Sequence, residues 1–497
     1  MTPLDFDRND LFSIENNFFS LSAASSNREL KKITQLVEDE RRYLQEQIAP
    51  LTLQEDRKSA EDHDYLSWEM VRRAGRNGRL SRFLPGFWGG SGLMLKGGSF
   101  MLFAEEAASV DCAYAGMMGG HELGLTALSM TFNFRLLQQV SEKIVAHQHD
   151  ERPFLIDCAI TEPTAGTDVE EVDLYDRAKL VARAKRVPGG AVLNGSRNFI
   201  STGHMASEHL VLMTFDPNNP LSDYGIFLVP GDAPGFSLGR KERKMGQRVG
   251  PASELIFEDC FVSEDRFAAD TNDLPESQRH RLLEWILHGV LGTTRIWVGA
   301  WSTGTARGAF ERALALAKTR KHKGRTLINQ QWVQGILSNM YMNVMMARSV
   351  YREAEIALLY NMTGGRLGSS MRATPAIAQG PLARMVASSR PVKSAAHSRA
   401  VRKRLMKLAT SIPEQRMARI QYMSSMSKVV GSDMAMENAQ LAVELASQAG
   451  LRHDEGVEKI FRDSKLLQIF EGTNQLNRLN MFQFAIGNKT GVNVFRT

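Results

Sequence analysis

The stretch Phe461-Arg-Asp-Ser-Lys-Leu-Leu-Gln-Ile-Phe-Glu471-Gly-Thr-Asn-Gln-Leu-Asn-Arg478 ends a helical-looking run on a carboxylate, and Gly472 and Thr473 follow at once. A glycine just past a helix is an ordinary stop, because it takes the left-handed conformation at no steric cost. The same spacing also sets a base beside a flexible, polar turn. Spacing alone does not separate the two readings. The charged groups nearest in sequence are Asp463, Lys465 and Arg478.

A second stretch, Cys158-Ala-Ile160-Thr161-Glu162-Pro163-Thr164-Ala165-Gly166-Thr167-Asp168, runs from a strand into a loop with a proline, a glycine and three hydroxyls. Free backbone N–H groups and hydroxyls there suit ring carbonyls or phosphate oxygens. A surface turn with local side-chain caps has the same composition. In Gly195-Ser-Arg-Asn-Phe199-Ile-Ser201-Thr202-Gly203, Phe199 is either core or a platform for a flat cofactor, with Ser201 donating to a ring nitrogen. Arg320-Lys-His-Lys-Gly324-Arg325 closes a helix. Its charges either oppose the helix dipole or clamp a pyrophosphate.

The 497 residues suffice for two or three domains, and a 43% hydrophobic content excludes wholesale disorder. Cys112, Cys158 and Cys260 are too few and too scattered for a disulfide framework or a cysteine-based zinc site, and no metal is expected. No run of about 18 apolar residues occurs, so no membrane span is expected. The acidic start, with Asp5, Asp7, Asp10 and Glu15, does not read as a signal or transit peptide. A cytoplasmic protein is expected, with the mitochondrial matrix as the alternative. The net charge of +6 is uneven: ten Lys or Arg and no Asp or Glu lie between Met362 and Ile412. The positive balance belongs to that segment, and the remainder is acidic.

Helical patterns cover Leu30–Leu51, Tyr65–Gly78, Ser99–Val110 and Ser129–His147, with a turn-rich break around Pro85-Gly86. From Phe154 the texture becomes strand-like: Leu155–Ile160, Leu180–Val187, Ala191–Ile200, His209–Phe215, Tyr224–Val229 and Leu255–Phe257. Short strands with turns between them predict a compact antiparallel sheet or barrel. Helical spacing returns beyond Leu282, as in Phe310, Ala313, Leu314 and Ala317. The basic segment 362–412 reads as an insertion between two helices, with a basic helix at Ser398–Leu408.

Together the motifs Ile160–Asp168, Gly195–Gly203, Lys244-Met-Gly-Gln-Arg248, Arg320–Gly324, Val457–Lys465 and Phe470–Gln475 resemble the acyl-CoA dehydrogenase family of flavoenzymes, in order, from about Tyr65 to Phe482. The resemblance implies an α+β multidomain fold: an N-terminal helical domain (1–153), a middle antiparallel β domain (154–275) and a C-terminal four-helix bundle (276–497) carrying the insertion. It implies FAD between the β domain and the bundle, partly held by a neighbouring subunit of a homodimer or homotetramer. Ile160, Thr161, Thr167, Phe199, Ser201, Arg320, Gln331, Gly450, Thr473 and Gln475 match cofactor-contacting positions. Thr167, Arg295 and Gly472 match positions at the acyl-CoA substrate. Glu471 matches the base that removes the α-proton, and an electron-transfer flavoprotein is the implied electron acceptor. Some members carry the base on an earlier helix, just before the Arg that matches Arg295; here that residue is Thr294, which cannot serve.

The chain departs from the family pattern at Lys323, usually Phe, and at Phe199, usually Trp. Ser201 stands for a Thr, and Val249-Gly-Pro-Ala-Ser253 for a Ser/Thr pair. A Gln-x-x-Gly-Gly element is replaced by Glu444-Leu-Ala-Ser-Gln448, with Gly450 retained. These changes mark a divergent branch. Two other readings on the same fold are an enoyl-CoA reductase and a flavin oxidase. A third, from a different class, is a nucleic-acid-binding flavoprotein, motivated by Arg399–Lys407 but ranked below a solvated or partner-docking basic face.

Overall fold

In the computed structural model the described residues are 11–12, 27–92, 100–362, 389, 394 and 396–496. From residue 27 onward the described residues open with the helices α1 Asn27–Tyr43, α2 Thr52–Glu61, α3 Trp68–Arg76, α4 Phe100–Val110, α5 Cys112–Met130 and α6 Phe134–His147. Two of them start where the sequence provides caps. Asp111 accepts from the N–H groups of Ala113 (2.7 Å) and Tyr114 (3.0 Å) at the head of α5. Asn133 accepts from Leu136 N–H (3.2 Å) at the head of α6.

The sequence patterns missed α5. Gly116, Gly119, Gly120 and Gly124 give it poor intrinsic helicity. Tertiary packing decides instead: a Cβ on Gly119 would lie 2.2 Å from the Trp301 ring, and one on Gly124 2.8 Å from the Asp157 carbonyl.

The middle sheet holds β1 Ile156–Ala159, β2 Arg183–Val187, β3 Gly190–Ser201, β4 Glu208–Thr214, β5 Tyr224–Pro230, β6 Phe236–Lys241, β7 Ala252–Ser263 and β8 Phe267–Asp270. The strand order is β6-β7-β3-β2-β4-β5-β8, with β1 also on β4. The sheet is antiparallel in most of its pairings, as expected, and parallel in two, which makes it mixed. β1 runs parallel to β4 through Ile156↔Glu208 to Ala159↔Val211, and β2 meets β4 in parallel at Arg183↔Thr214. The parallel pairing arises because β1 enters from the helical domain and lies against α5 rather than turning back in a hairpin. β6 and β8 were not read from sequence. No residue of Phe236–Lys241 is buried and the strand carries charge, so it lacks the apolar alternation of a half-buried strand.

The C-terminal bundle is built on three long helices, α7 Glu276–Thr319, α8 Gln331–Met362 and α10 Glu414–Ala446, with α11 Val457–Leu467 and α12 Asn474–Phe482 against them. A shorter basic helix, α9 Arg399–Ala409, precedes α10. Most of the predicted insertion lies outside the described residues. Its helix docks on the β domain: Arg399 reaches Asp273 (2.6 Å) and Arg402 donates to the Ala268 carbonyl (2.5 Å). Among the described residues no helix is long and apolar enough to cross a membrane.

The bundle and the N-terminal helices are tied by a buried ionic cluster. Arg307 on α7 bonds Glu106 of α4 and Glu311 of its own helix, both at 2.9 Å. Arg41 of α1 donates to Glu106 (2.9 Å); Arg348 (3.1 Å) and Tyr351 (2.7 Å) of α8 donate to Glu105. The close crossing of α4 and α7 depends on Gly304, where a Cβ would lie 2.1 Å from the Glu105 carbonyl oxygen. Gly304→Ala must push two backbones apart. The expected cost is about 1–3 kcal/mol, read as a lower thermal midpoint with the fold retained.

Candidate active site

After α11 the chain turns through Gln468–Gly472, and Thr473 caps α12 by accepting from Leu476 N–H (3.2 Å). Glu471 and Gly472 both take left-handed backbone, with φ of +57° and +78°. A glutamate is strained there, so the surroundings must hold it. Arg295 Nε donates to the Glu471 carbonyl (3.1 Å). Lys428 Nζ and Asn477 Nδ2 donate to the Gly472 carbonyl, both at 2.8 Å. Gly472 is required twice, for its φ and because a Cβ would lie 3.0 Å from Glu170 Oε2 and from Leu476.

The Glu471 carboxyl accepts from Thr294 Oγ1 at 2.6 Å. Burial raises its pKa above the usual glutamate range; the Thr294 hydrogen bond, Arg295 and Lys428 oppose the rise without cancelling it. Burial, and then Arg295, bring Lys428 down to about 7. The Lys428 ammonium also donates to Asn474 Oδ1 at 2.6 Å.

Glu471 forms part of the wall of a cavity of about 550 Å³ between the β sheet, α5, α7 and the turn after α11. Eight residues singled out from the sequence meet at this wall: Ile160, Thr161, Thr167, Phe199, Ser201, Glu471, Gly472 and Thr473. Phe199 is 61% exposed, with φ +61°. It lies in a β-bulge, since β3 advances from Arg197 to Ile200 while β7 moves only from Leu255 to Ser253. A bulge re-aims a side chain, and this one presents an aromatic ring to the cavity. Trp297, Trp301 and Phe470 line the same space.

The remaining predicted residues lie elsewhere. Arg295 is fully buried behind the turn and bonds Gln421 Oε1 (3.2 Å), so it positions the Glu471 backbone rather than lining the cavity. Arg320 caps α7, donating to the Ala446 carbonyl (3.0 Å) and pairing with Glu455 (3.2 Å). Gln331 and Gln475 are exposed at the heads of α8 and α12, and Gly450 is buried after α10. The charged neighbours in sequence do not face Glu471. Asp463 pairs with Lys459 (2.7 Å), Arg478 with Asp433 (2.6 Å), and Lys465 donates to Gln468 (2.9 Å).

Three site residues were missed. Thr294 was dismissed as unable to be a base, yet it hydrogen-bonds the Glu471 carboxyl. Lys428 has a readable signal, being the one charge between Arg419 and Asp433. Glu170 carries no signal apart from its neighbour Glu171.

Elsewhere, Asp56, His453 and Glu458 bring ligand atoms within 4.8 Å of one another. The Arg462 guanidinium already fills that space, at 2.7 Å from Asp56 and 2.6 Å from Glu458. An open groove of about 970 Å³ beside Lys143 and Arg266 has both cations paired to Glu208, at 2.6 and 2.7 Å, and holds no comparable chemistry.

The domain profiles of a known family account for most of the chain. "Acyl-CoA dehydrogenase, N-terminal domain" matches residues 31–132, the middle domain 158–260, and the C-terminal domain 283–388 and 371–485. The chain belongs to the acyl-CoA dehydrogenase family. It is accordingly an oxidoreductase, and the likeness starts well before Tyr65, where the motifs placed it. A probable acyl-CoA dehydrogenase, FadE25 of Mycobacterium tuberculosis, is 28% identical over 377 residues, 76% of this chain and 77% of that protein. Cyclohexane-1-carbonyl-CoA dehydrogenase of Geobacter metallireducens is 28% identical over 460 residues, 92% of this chain and 97% of that protein. The solved structure of a glutaryl-CoA dehydrogenase from Mycobacterium smegmatis in complex with FADH2 superposes with a TM-score of 0.66 at 17% identity, covering 95% of this chain and 97% of that one. Acyl-CoA dehydrogenase family membership thus joins the fold to the cavity described above.

Proposed function

We propose that this enzyme is an FAD-dependent dehydrogenase that converts an acyl-CoA thioester to the trans-2-enoyl-CoA, with Glu471 as the base. The observation that carries the reading is the half-buried Glu471 carboxyl, held by Thr294, on the wall of a cavity that a polar loop and an exposed aromatic ring also line. The residues fit a flavin. Phe199 offers a face on which a flat ring system stacks, while Thr161, Thr167 and Ser201 set polar groups around it. Ile160 and Thr473 complete the wall. Arg320, Gln331, Gly450 and Gln475 belong to the adenosine end, completed by a second copy of this chain in a homodimer or homotetramer. When bound, FAD supplies the hydride acceptor.

The protein's own part is placement and proton handling. The α-proton of a thioester is weakly acidic, so a base must be close, dry and correctly poised. Partial burial shields the Glu471 carboxyl and raises its proton affinity, while Thr294 keeps enough of it ionised to act. Arg295 and Lys428 fix the Glu471 and Gly472 carbonyls, leaving the side chain little freedom to swing. The Glu471 N–H lies on this fixed turn and is the group proposed to steady the thioester oxygen as charge develops there. Domain limits at 153/154 and 275/276 set this turn and the polar loop on separate units. An electron-transfer flavoprotein is the proposed acceptor.

The test is anaerobic flavin reduction of the holoenzyme against linear, branched, cyclic, aromatic and dicarboxylic CoA thioesters. At least one is expected to bleach the flavin; bleaching by none overturns the reading. Thr294→Val probes the poise of the base. Losing a hydrogen bond to the ionised form raises the Glu471 proton affinity, so the acid limb of the rate profile moves to higher pH. The expected loss is roughly tenfold at pH 6, recovering under alkaline conditions.

A further inference from the structure

The long helix α7 runs along the cavity past the catalytic turn. Thr294, which holds the Glu471 carboxyl at 2.6 Å, is followed on the same face by Trp297, Val298 and Trp301, and all four line the cavity. The seven residues from Thr294 to Trp301 advance about 10 Å, so Trp301 stands that far along the axis from the level of the base. Trp297 and Trp301 are 3% and 8% exposed, whereas Gly166 and Thr167, on the loop side of the same cavity, are exposed.

The Trp301 indole is wedged in place. A Cβ on Gly119 of α5 would lie 2.2 Å from its Cζ2 and Cη2, so the ring occupies the space that the glycine leaves. Trp297 stacks on it with centroids 6.1 Å apart, and Phe470 packs against it in a T-shape at 6.3 Å. Trp297 is held in turn by Phe83 at 5.4 Å and Phe100 at 4.6 Å. Aromatic rings packed on several sides do not fold away to admit a larger ligand. Every residue that α5 and α7 give to the cavity is uncharged.

We infer that Trp301 is a specificity-determining residue that ends the acyl compartment, so that this enzyme takes short or compact apolar acyl groups and rejects long straight chains. The inference rests on the proposed dehydrogenation, with the α-carbon held at Glu471. The CoA moiety is large and highly charged, so it leaves by the exposed loop side, and the acyl chain points along α7 toward the tryptophans. A chain that outruns this length meets an indole backed by α5, and truncating the side chain opens the path.

The experiment measures anaerobic flavin reduction of the wild-type, Trp301→Ala and Trp301→Phe holoenzymes by butyryl-, octanoyl- and palmitoyl-CoA. In the wild type, butyryl-CoA is expected to outpace palmitoyl-CoA roughly a hundredfold. Trp301→Ala narrows this ratio by about tenfold or more, through a gain with palmitoyl-CoA, and Trp301→Phe moves it the same way by less. A merely structural side chain would slow all three thioesters alike and leave their ratio in place. Equal wild-type rates with butyryl- and palmitoyl-CoA overturn the inference. So does a ratio unchanged in the variants; Trp301→Phe carries this comparison alone if the alanine variant does not fold.

A second readout does not involve turnover. Calorimetric titration of Glu471→Gln holoenzyme with palmitoyl-CoA is repeated with Trp301→Ala added. The affinity is expected to rise about tenfold, and an unchanged affinity overturns the inference. If no thioester reduces the wild-type flavin, the proposed reaction fails, while this titration still decides whether Trp301 closes the compartment.

Discussion

Glu471→Gln leaves FAD bound and the flavin unreduced when a CoA thioester is added. The amide keeps the shape of the side chain and its contact with Thr294 but cannot take a proton from carbon. A positioned general base contributes roughly 10²–10⁴-fold, and with the β-hydrogen unable to leave alone the loss should sit at the upper end. The control is flavin content by absorbance, expected to be unchanged because the residues proposed to face the cofactor, Phe199, Thr161 and Ser201, keep their places on the cavity wall. Full bleaching of the variant on the wild-type timescale would remove Glu471 from its role. Bleaching by no thioester in either protein would remove the substrate class instead.

The second large effect is on stability. Arg307→Leu removes the guanidinium that joins Glu106, Glu311 and Glu105, leaving three buried carboxyls without their shared cation. Breaking a buried ionic cluster from one side costs about 3–5 kcal/mol, more than most point changes. Burial alone would raise the pKa of Glu105 and Glu106, but Arg348 and Arg307 hold Glu105 low, and Arg307 and Arg41 hold Glu106 low. Without Arg307 the offset to burial is weakened, so in the folded variant these carboxyls take up protons as pH falls and the uncompensated charge is relieved. The deficit of Arg307→Leu should therefore be largest at neutral pH and shrink toward pH 4. Denaturation curves at both pH values would show it. A variant as stable as wild type at pH 7.5 would mean the cluster is held by its other arginines.

Much of the architecture was readable because the two periodicities change at identifiable places. Six of the eight described strands have apolar runs bounded by turn residues, and α7 repeats its apolar positions at Phe310, Ala313, Leu314 and Ala317 as a helix should. The failures have physical causes. α5 is rich in glycine because Trp301 and the β1 backbone press against it, so the property that makes it fit also hides it from a propensity argument. Phe236–Lys241 is an exposed edge strand with few apolar residues to repeat. The parallel pairing of β1 is set by its entry from a helix, which no local pattern records.

The site was legible in its motif residues and illegible in what positions them. Glu471, Thr167 and Phe199 stand in recognisable strings. Thr294, Lys428 and Glu170 reach the same point from α7, α10 and the loop after β1, more than 40 residues away in each case. Arg295 is matched to the substrate by its motif, and its buried guanidinium holds the Glu471 carbonyl instead of lining the cavity.

The bulge in β3 carries one more consequence. Within Arg197–Ile200 the two middle residues give up ladder pairing, and Phe199 holds its aromatic side chain in a backbone conformation that disfavours it. A sheet selected only for its own thermal resilience would drop one residue there and tuck the ring inside. Retaining the irregularity means durability was traded for aim at that spot, so routine stabilising redesign of this enzyme should leave those four positions alone.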